Sequence, residues 1–183
     1  MERRESLKLM SGFAPMIFLP TSTNIISKNL DSSELLQMFS IRMKSIETHC
    51  YEIFKSLPIA DFNFQPTPEV MSFGKIFSHI GLGLEIYSGV LDGSTPDKEP
   101  DSINRSSVLT YLENGFSHFS NVLKEQEDKD LFSYNHHYPD EEPWKELRIS
   151  EIVLLAYSHV THHKAQATVY LRLKNSTPPK WRF

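Results

Sequence analysis

From Ser150 to Lys174, apolar and polar residues recur with a helical period, and no Gly or Pro interrupts them. At about 100° per residue, Ile152, Leu155, His159, His163, Gln166, Tyr170 and Leu173 share a stripe roughly 80° wide. Tyr157, Thr161, Lys164, Thr168 and Arg172 fall on the opposite side. The stripe is expected to face the core. Its centre carries histidines where leucines are usual. Ser150 is the expected N-cap, with Glu151 in the first turn. Asn175 and the Pro178-Pro179 pair are the expected stop.

Three further segments carry the same period. In the first, Asp31 to Leu57, the positions Leu36, Phe39, Met43, Ile46, Cys50, Ile53 and Leu57 alternate steps of three and four, a bundle seam. Asp31, Ser32 or Ser33 can cap it, and Pro58 ends it. Ile59 to Met71 is a linker stiffened by Pro66 and Pro68. Ser72 is the expected cap of a second helix running to about Gly89. Its apolar side is Phe73, Ile76, Phe77, Ile80, Leu84 and Tyr87. Gly81 and Gly83 weaken it locally; they either let another helix or a ligand approach closely or are simply tolerated there. A polar loop rich in turn residues follows, Leu91 to Arg105. The third helix is expected from Ser106 or Ser107 to about Gln126, burying Leu109, Leu112, Phe116, Phe119 and Val122 or Leu123. Leu131 to Leu147 is an aromatic, irregular connection. No segment alternates with the period of a strand. The expected fold is all-α, a four-helix bundle.

Composition narrows the function. A chain of 183 residues suits one domain with a substantial core. The formal charge is −4 and no basic patch appears, so no nucleic-acid partner is expected. Phe13 to Leu19 is apolar but too short to span a membrane, and it resembles a signal peptide only weakly. Residues 1–30 are expected to be an N-terminal extension of unknown role, before a bundle domain over residues 31–183. A cytoplasmic protein with no membrane association is expected. A single cysteine excludes both an intramolecular disulfide and a cysteine-based zinc finger. Eight histidines remain, so any metal site would be rich in nitrogen.

His159 and His163, at i and i+4, have the spacing to chelate one metal ion. Neutral imidazole suits zinc, nickel or iron. The other reading is two core histidines, each hydrogen-bonded to a neighbour. His79, on the second helix, is the candidate third ligand from a facing element. His162 lies about 60° to one side of His159, which suits a flanking role. Gln166, one turn beyond His163, can orient a ligand or a bound substrate. Cys50, on the seam of the first helix, reads as a small buried hydrophobe. His136 and His137 are adjacent in sequence and are not expected to ligate.

Three stretches are familiar: FGKIFSHIGLGLEIYSGVLDG around His79, SHVTHHKAQATVYLRLKN followed by a proline pair, and the FQPTPEVMS lead into the second helix. The sequence resembles the DinB/YfiT-like family over roughly Asp31 to Pro179. The resemblance implies a metal held in the bundle core by His79, His159 and His163, with open positions for water, and a homodimer. Lys164 and Ala165 stand where Arg and Gly are common, which keeps the charge but loses the planar fork.

A metal-dependent enzyme acting on a small-molecule substrate is the expected class. In the first reading, the metal activates a low-molecular-weight thiol, as in a thiol-dependent S-transferase or isomerase. The reactive group is then a thiolate or water on the metal. In the second, the protein hydrolyses a small amide or ester. That reading needs a general base, and no acidic residue lies on the His159 stripe. A third is a non-catalytic, metal-stabilised ligand-binding protein.

Overall fold

The computed structural model describes residues 31–127, 129–137 and 144–181. The N-terminal extension expected over residues 1–30 lies outside them. Four long helices form: α1 (Ser32–Ser56), α2 (Phe73–Asp92), α3 (Arg105–Lys124) and α4 (Ile149–Leu173). Single 3-10 turns, Ile59–Asp61 and Trp144–Glu146, sit in the connections. Among the described residues the one β pairing is an isolated antiparallel bridge between Tyr134 and Arg148. The fold is all-helical, as the periodicity predicts. No described helix is long and apolar enough to cross a membrane.

The helix ends follow local chemistry. Asp31 accepts a hydrogen bond from the Glu34 amide at 2.7 Å and caps α1. Ser72 accepts from the Lys75 amide and caps α2. Two expected starts are displaced. α3 is capped by Asn104, whose side chain accepts from the Ser106 and Ser107 amides. α4 begins at Ile149, so Ser150 lies inside its first turn. There Glu151 reaches back to accept from the Arg148 amide at 2.7 Å, one half of a capping box. At the far end, Asn175 takes a left-handed conformation with φ 56°. The Ser176 amide donates to the Leu171 carbonyl and the Asn175 amide to that of Arg172, closing a Schellman motif. α2 runs one turn past Gly89 and ends at Gly93, φ 81°.

α2 is the central helix, packed against both α3 and α4, with α1 against α4 and α3. The α1 seam is buried as its spacing predicts, with Phe39 partly exposed. Phe54 meets Phe77 edge-on at 5.1 Å and Phe62 at 5.5 Å, and Phe73 meets Phe77 at 5.0 Å. These rings knit α1, the linker and α2 into one core. Arg105, the first residue of α3, donates to the Leu57 and Phe54 carbonyls and lies over the Phe54 ring. It thereby satisfies the open carbonyls at the end of α1.

On α4 the expected core face is turned. Leu155 and Leu173 are exposed, while Val153, Ala156, Val160, Ala167 and Leu171 are buried. Lys164, placed on the outer side by the helical wheel, is 3 % exposed. Its ammonium lies 4.5 Å from the centre of the Trp181 ring, and its stem packs inward. The histidine stripe therefore runs along one margin of the buried face rather than down its middle.

Candidate metal centre

The histidine stripe faces α2, and α2 answers it with His79. The ring centres of His79 and His163 stand 4.6 Å apart, those of His159 and His163 4.6 Å, and those of His79 and His159 5.0 Å. One nitrogen from each ring lies within 4.8 Å of the others. The Nε2 atoms of His79 and His159 are 3.3 Å apart. Two nitrogens bound tetrahedrally at the usual zinc distance also stand ~3.3 Å apart. The donor set therefore fits a divalent ion.

The protonation states agree with that fit. Burial, then the neighbouring His163 and His79, pulls His159 down to about 4. Burial also lowers His79, against the pull of Glu99. Burial lowers His163 too, against its hydrogen bond to Gln166. All three rings are neutral at pH 7, so each has a lone pair to give.

The local sequence makes this geometry. A Cβ added at Gly83 would overlap the His159 ring. The missing side chain at this position of α2 is the space that His159 occupies. His159 Nδ1 is buried beside it with no hydrogen-bond partner. His163 is held from behind: its Nδ1 donates to Gln166 Oε1 at 2.9 Å, which leaves Nε2 as the lone-pair nitrogen. The Gln166 amide nitrogen donates to His162 Nε2 at 3.1 Å. His162 is exposed and stands outside the cluster, its ring edge against His163 at 4.9 Å. Tyr87 meets His159 edge-on at 5.9 Å, and Trp144 backs Tyr87 at 6.1 Å. The aromatic connection before α4 thus contributes to this wall.

Glu99 was not legible from spacing. It lies in the polar α2–α3 loop, which folds back onto α2 beside the site. Its carboxylate accepts from Lys75 Nζ at 2.6 Å and from Ser78 Oγ at 2.8 Å. Burial pushes its carboxyl up, but those hydrogen bonds and the Lys75 charge outweigh this and hold it below the usual range. Nothing in the loop sequence separates Glu99 from its acidic neighbours. Cys50, as expected, is core: it is fully buried, and burial pushes its thiol up to about 12. His136 and His137 are exposed and stand apart from the cluster.

A second polar group, one histidine with two carboxylates, lies between α2 and α3. His118 Nδ1 is 2.9 Å from Glu85 and its Nε2 is 3.2 Å from Asp92. Burial pulls His118 down, but these two carboxylates outweigh it and raise its pKa. The carboxylates sit at opposite ends of the ring, a clamp rather than a chelate.

The comparisons agree with this architecture. The crystal structure of a DinB-like protein from Bacillus cereus is similar, with a TM-score of 0.64 and 17 % identity, covering 84 % of this chain and 99 % of that one. A DinB-like protein from Bacillus subtilis matches with a TM-score of 0.60 and 17 % identity, over 79 % of this chain and 96 % of that one. No curated protein matches. The DinB family profile covers residues 27–182, and the chain belongs to the DinB family.

Proposed function

We propose that His79, His159 and His163 bind one divalent metal ion, zinc, nickel or iron, and that the protein is a metal-dependent enzyme acting through a small thiol. The observation that supports this most is the convergence of three neutral imidazoles, with Nε2 of His79 and of His159 3.3 Å apart. When bound, a divalent ion supplies the positive charge that keeps a low-molecular-weight thiol ionised at neutral pH. The chain's own residues do the rest. Gln166 fixes the His163 ring through Nδ1, so that its lone pair faces the centre. The Gly83 gap seats His159. His79 is only partly buried, so the centre can be reached from solvent. Cys50 is too deeply buried to serve as the nucleophile, so the thiol has to come from outside. A thiol-dependent S-transferase or isomerase follows, cytoplasmic and homodimeric.

Hydrolysis of a small amide or ester has one observation in its favour, the Glu99 carboxylate beside His79. Lys75 and Ser78 already engage that carboxylate, which makes it a weak base. The thiol reading therefore ranks first. The test loads the protein with zinc, nickel or iron and follows both thiol consumption and substrate conversion against a panel of activated alkenes and epoxides. The reading requires turnover that depends on both metal and thiol. Turnover of esters or amides without thiol supports hydrolysis. Metal binding with no turnover in either panel leaves the ligand-binding reading. Light scattering at micromolar concentration tests the dimer.

A further inference from the structure

A groove lies between the lead into α2 and the last turns of α4, and one of its lining residues, Gln166, also touches the histidine cluster. It has a volume of about 420 Å³ and is lined by Glu69, Val70, Met71, Gln166, Val169 and Tyr170. That size falls within the range of small-molecule sites. Its walls are mostly hydrocarbon. Val70 and Val169 are exposed to solvent, so the described residues leave this apolar surface uncovered. The Tyr170 hydroxyl donates to the Met71 carbonyl at 2.9 Å, which ties the two walls together and removes a polar group from the groove. At the rim, Glu69 is engaged by Thr67. The remaining polar lining group is the Gln166 amide. That amide is the one that holds His163. The groove and the metal centre thus share a residue. Along α4 the distance from His163 to Val169 is about 9 Å.

We propose that this groove receives the hydrocarbon tail of the substrate, so that the site takes small amphiphiles: a polar head that reaches the three histidines and an alkyl or aryl tail of roughly six to eight carbons along Val70, Met71, Val169 and Tyr170. The inference rests on the metal reading above. Its physical basis is an apolar trough that shares one side chain, the Gln166 amide, with the polar centre. A short polar substrate would leave the trough wet. A tail that lies in it removes apolar surface from water on both partners.

The experiment uses the full chain loaded with cobalt(II) as a spectroscopic stand-in. Two probes share a metal-binding head and differ only in tail: acetohydroxamate and octanohydroxamate. Their dissociation constants are read from the visible spectrum of the bound cobalt, and the quantity compared is their ratio. The wild-type protein should bind the long probe tighter by on the order of tenfold or more. Val169→Asp and, separately, Val70→Asp should bring the ratio close to one. Both positions are exposed, so the variants should fold, which circular dichroism checks. Leu154→Asp, an exposed apolar residue on another part of α4, should leave the ratio as in wild type. A wild-type ratio near one overturns the inference while the metal reading stands. So does a ratio that survives both valine variants, or one lost equally in Leu154→Asp, since the tail is then held elsewhere or indiscriminately. If cobalt gives no protein-bound spectrum, the metal reading falls and this inference with it; if cobalt binds and neither probe perturbs its spectrum, this inference falls alone.

Discussion

At the scale of single residues, the site depends on a side chain that is absent. Gly83 gives His159 its place, and the first extra carbon there collides with the ring. Gly83→Ala should therefore displace His159 while α2, which tolerates alanine well, stays helical. The expected loss of metal affinity is on the order of tenfold or more, measured by competition with a chromogenic chelator. Unchanged affinity would contradict the claim that the Gly83 gap seats His159. Gln166→Ala should act more gently, because it frees the His163 ring without removing a donor. Part of this was legible in advance: the i and i+4 pair follows from helical spacing, His79 became a candidate only beside that pair and through the family resemblance, and the structure brings the three rings together. Two residues were not. Lys164 sits on the polar side of the wheel, yet it is buried against Trp181, because a long stem can pack while its charge finds an aromatic face. Glu99 sits in a loop, where no period indicates which side chain folds back.

At the scale of helices, the long apolar segments specified all four, since seams such as Leu36 to Leu57 leave few other ways to bury them. Their starts were harder to read. Ser150 and Ser106 are good caps by type, but Arg148 with Glu151, and Asn104 with two amides, satisfy the open donors two residues earlier. The close packing of α2 on α3 is reinforced by His118 between Glu85 and Asp92. Its folded-state pKa is raised above the ordinary histidine value near 6.5. The clamp's contribution is thus complete below about pH 6.5 and fades as pH rises through the folded value. Other charged or titratable groups around it are Asp97, whose amide approaches Glu85, and Tyr111, which donates to the Asp97 carbonyl. His118→Gln should therefore destabilise the protein more at pH 6 than at pH 9, as read by urea unfolding. A penalty that grows towards pH 9 would contradict the charged clamp.

At the scale of the molecule, α2 and α4 meet in the core, and the histidines sit at their margin. Metal bound there joins two helices that are far apart in sequence, so it should stabilise the whole fold. Excess zinc at about 100 times its dissociation constant should add ~2.7 kcal/mol to the unfolding free energy, and a chelator should reverse it. A zinc effect of the same size in His159→Ala would locate the ion elsewhere. The central claim is the identity of the ligands, and the most direct measurement is metal content per chain. His79→Ala, His159→Ala, His163→Ala and His162→Ala are purified alike, loaded, dialysed against a mild chelator and analysed by mass spectrometry of the metal. His162 stands outside the cluster and touches it only through Gln166 and a ring edge. The first three variants should therefore lose the ion while remaining helical, and His162→Ala should keep close to one ion per chain. Retention by His163→Ala together with loss from His162→Ala would contradict the account.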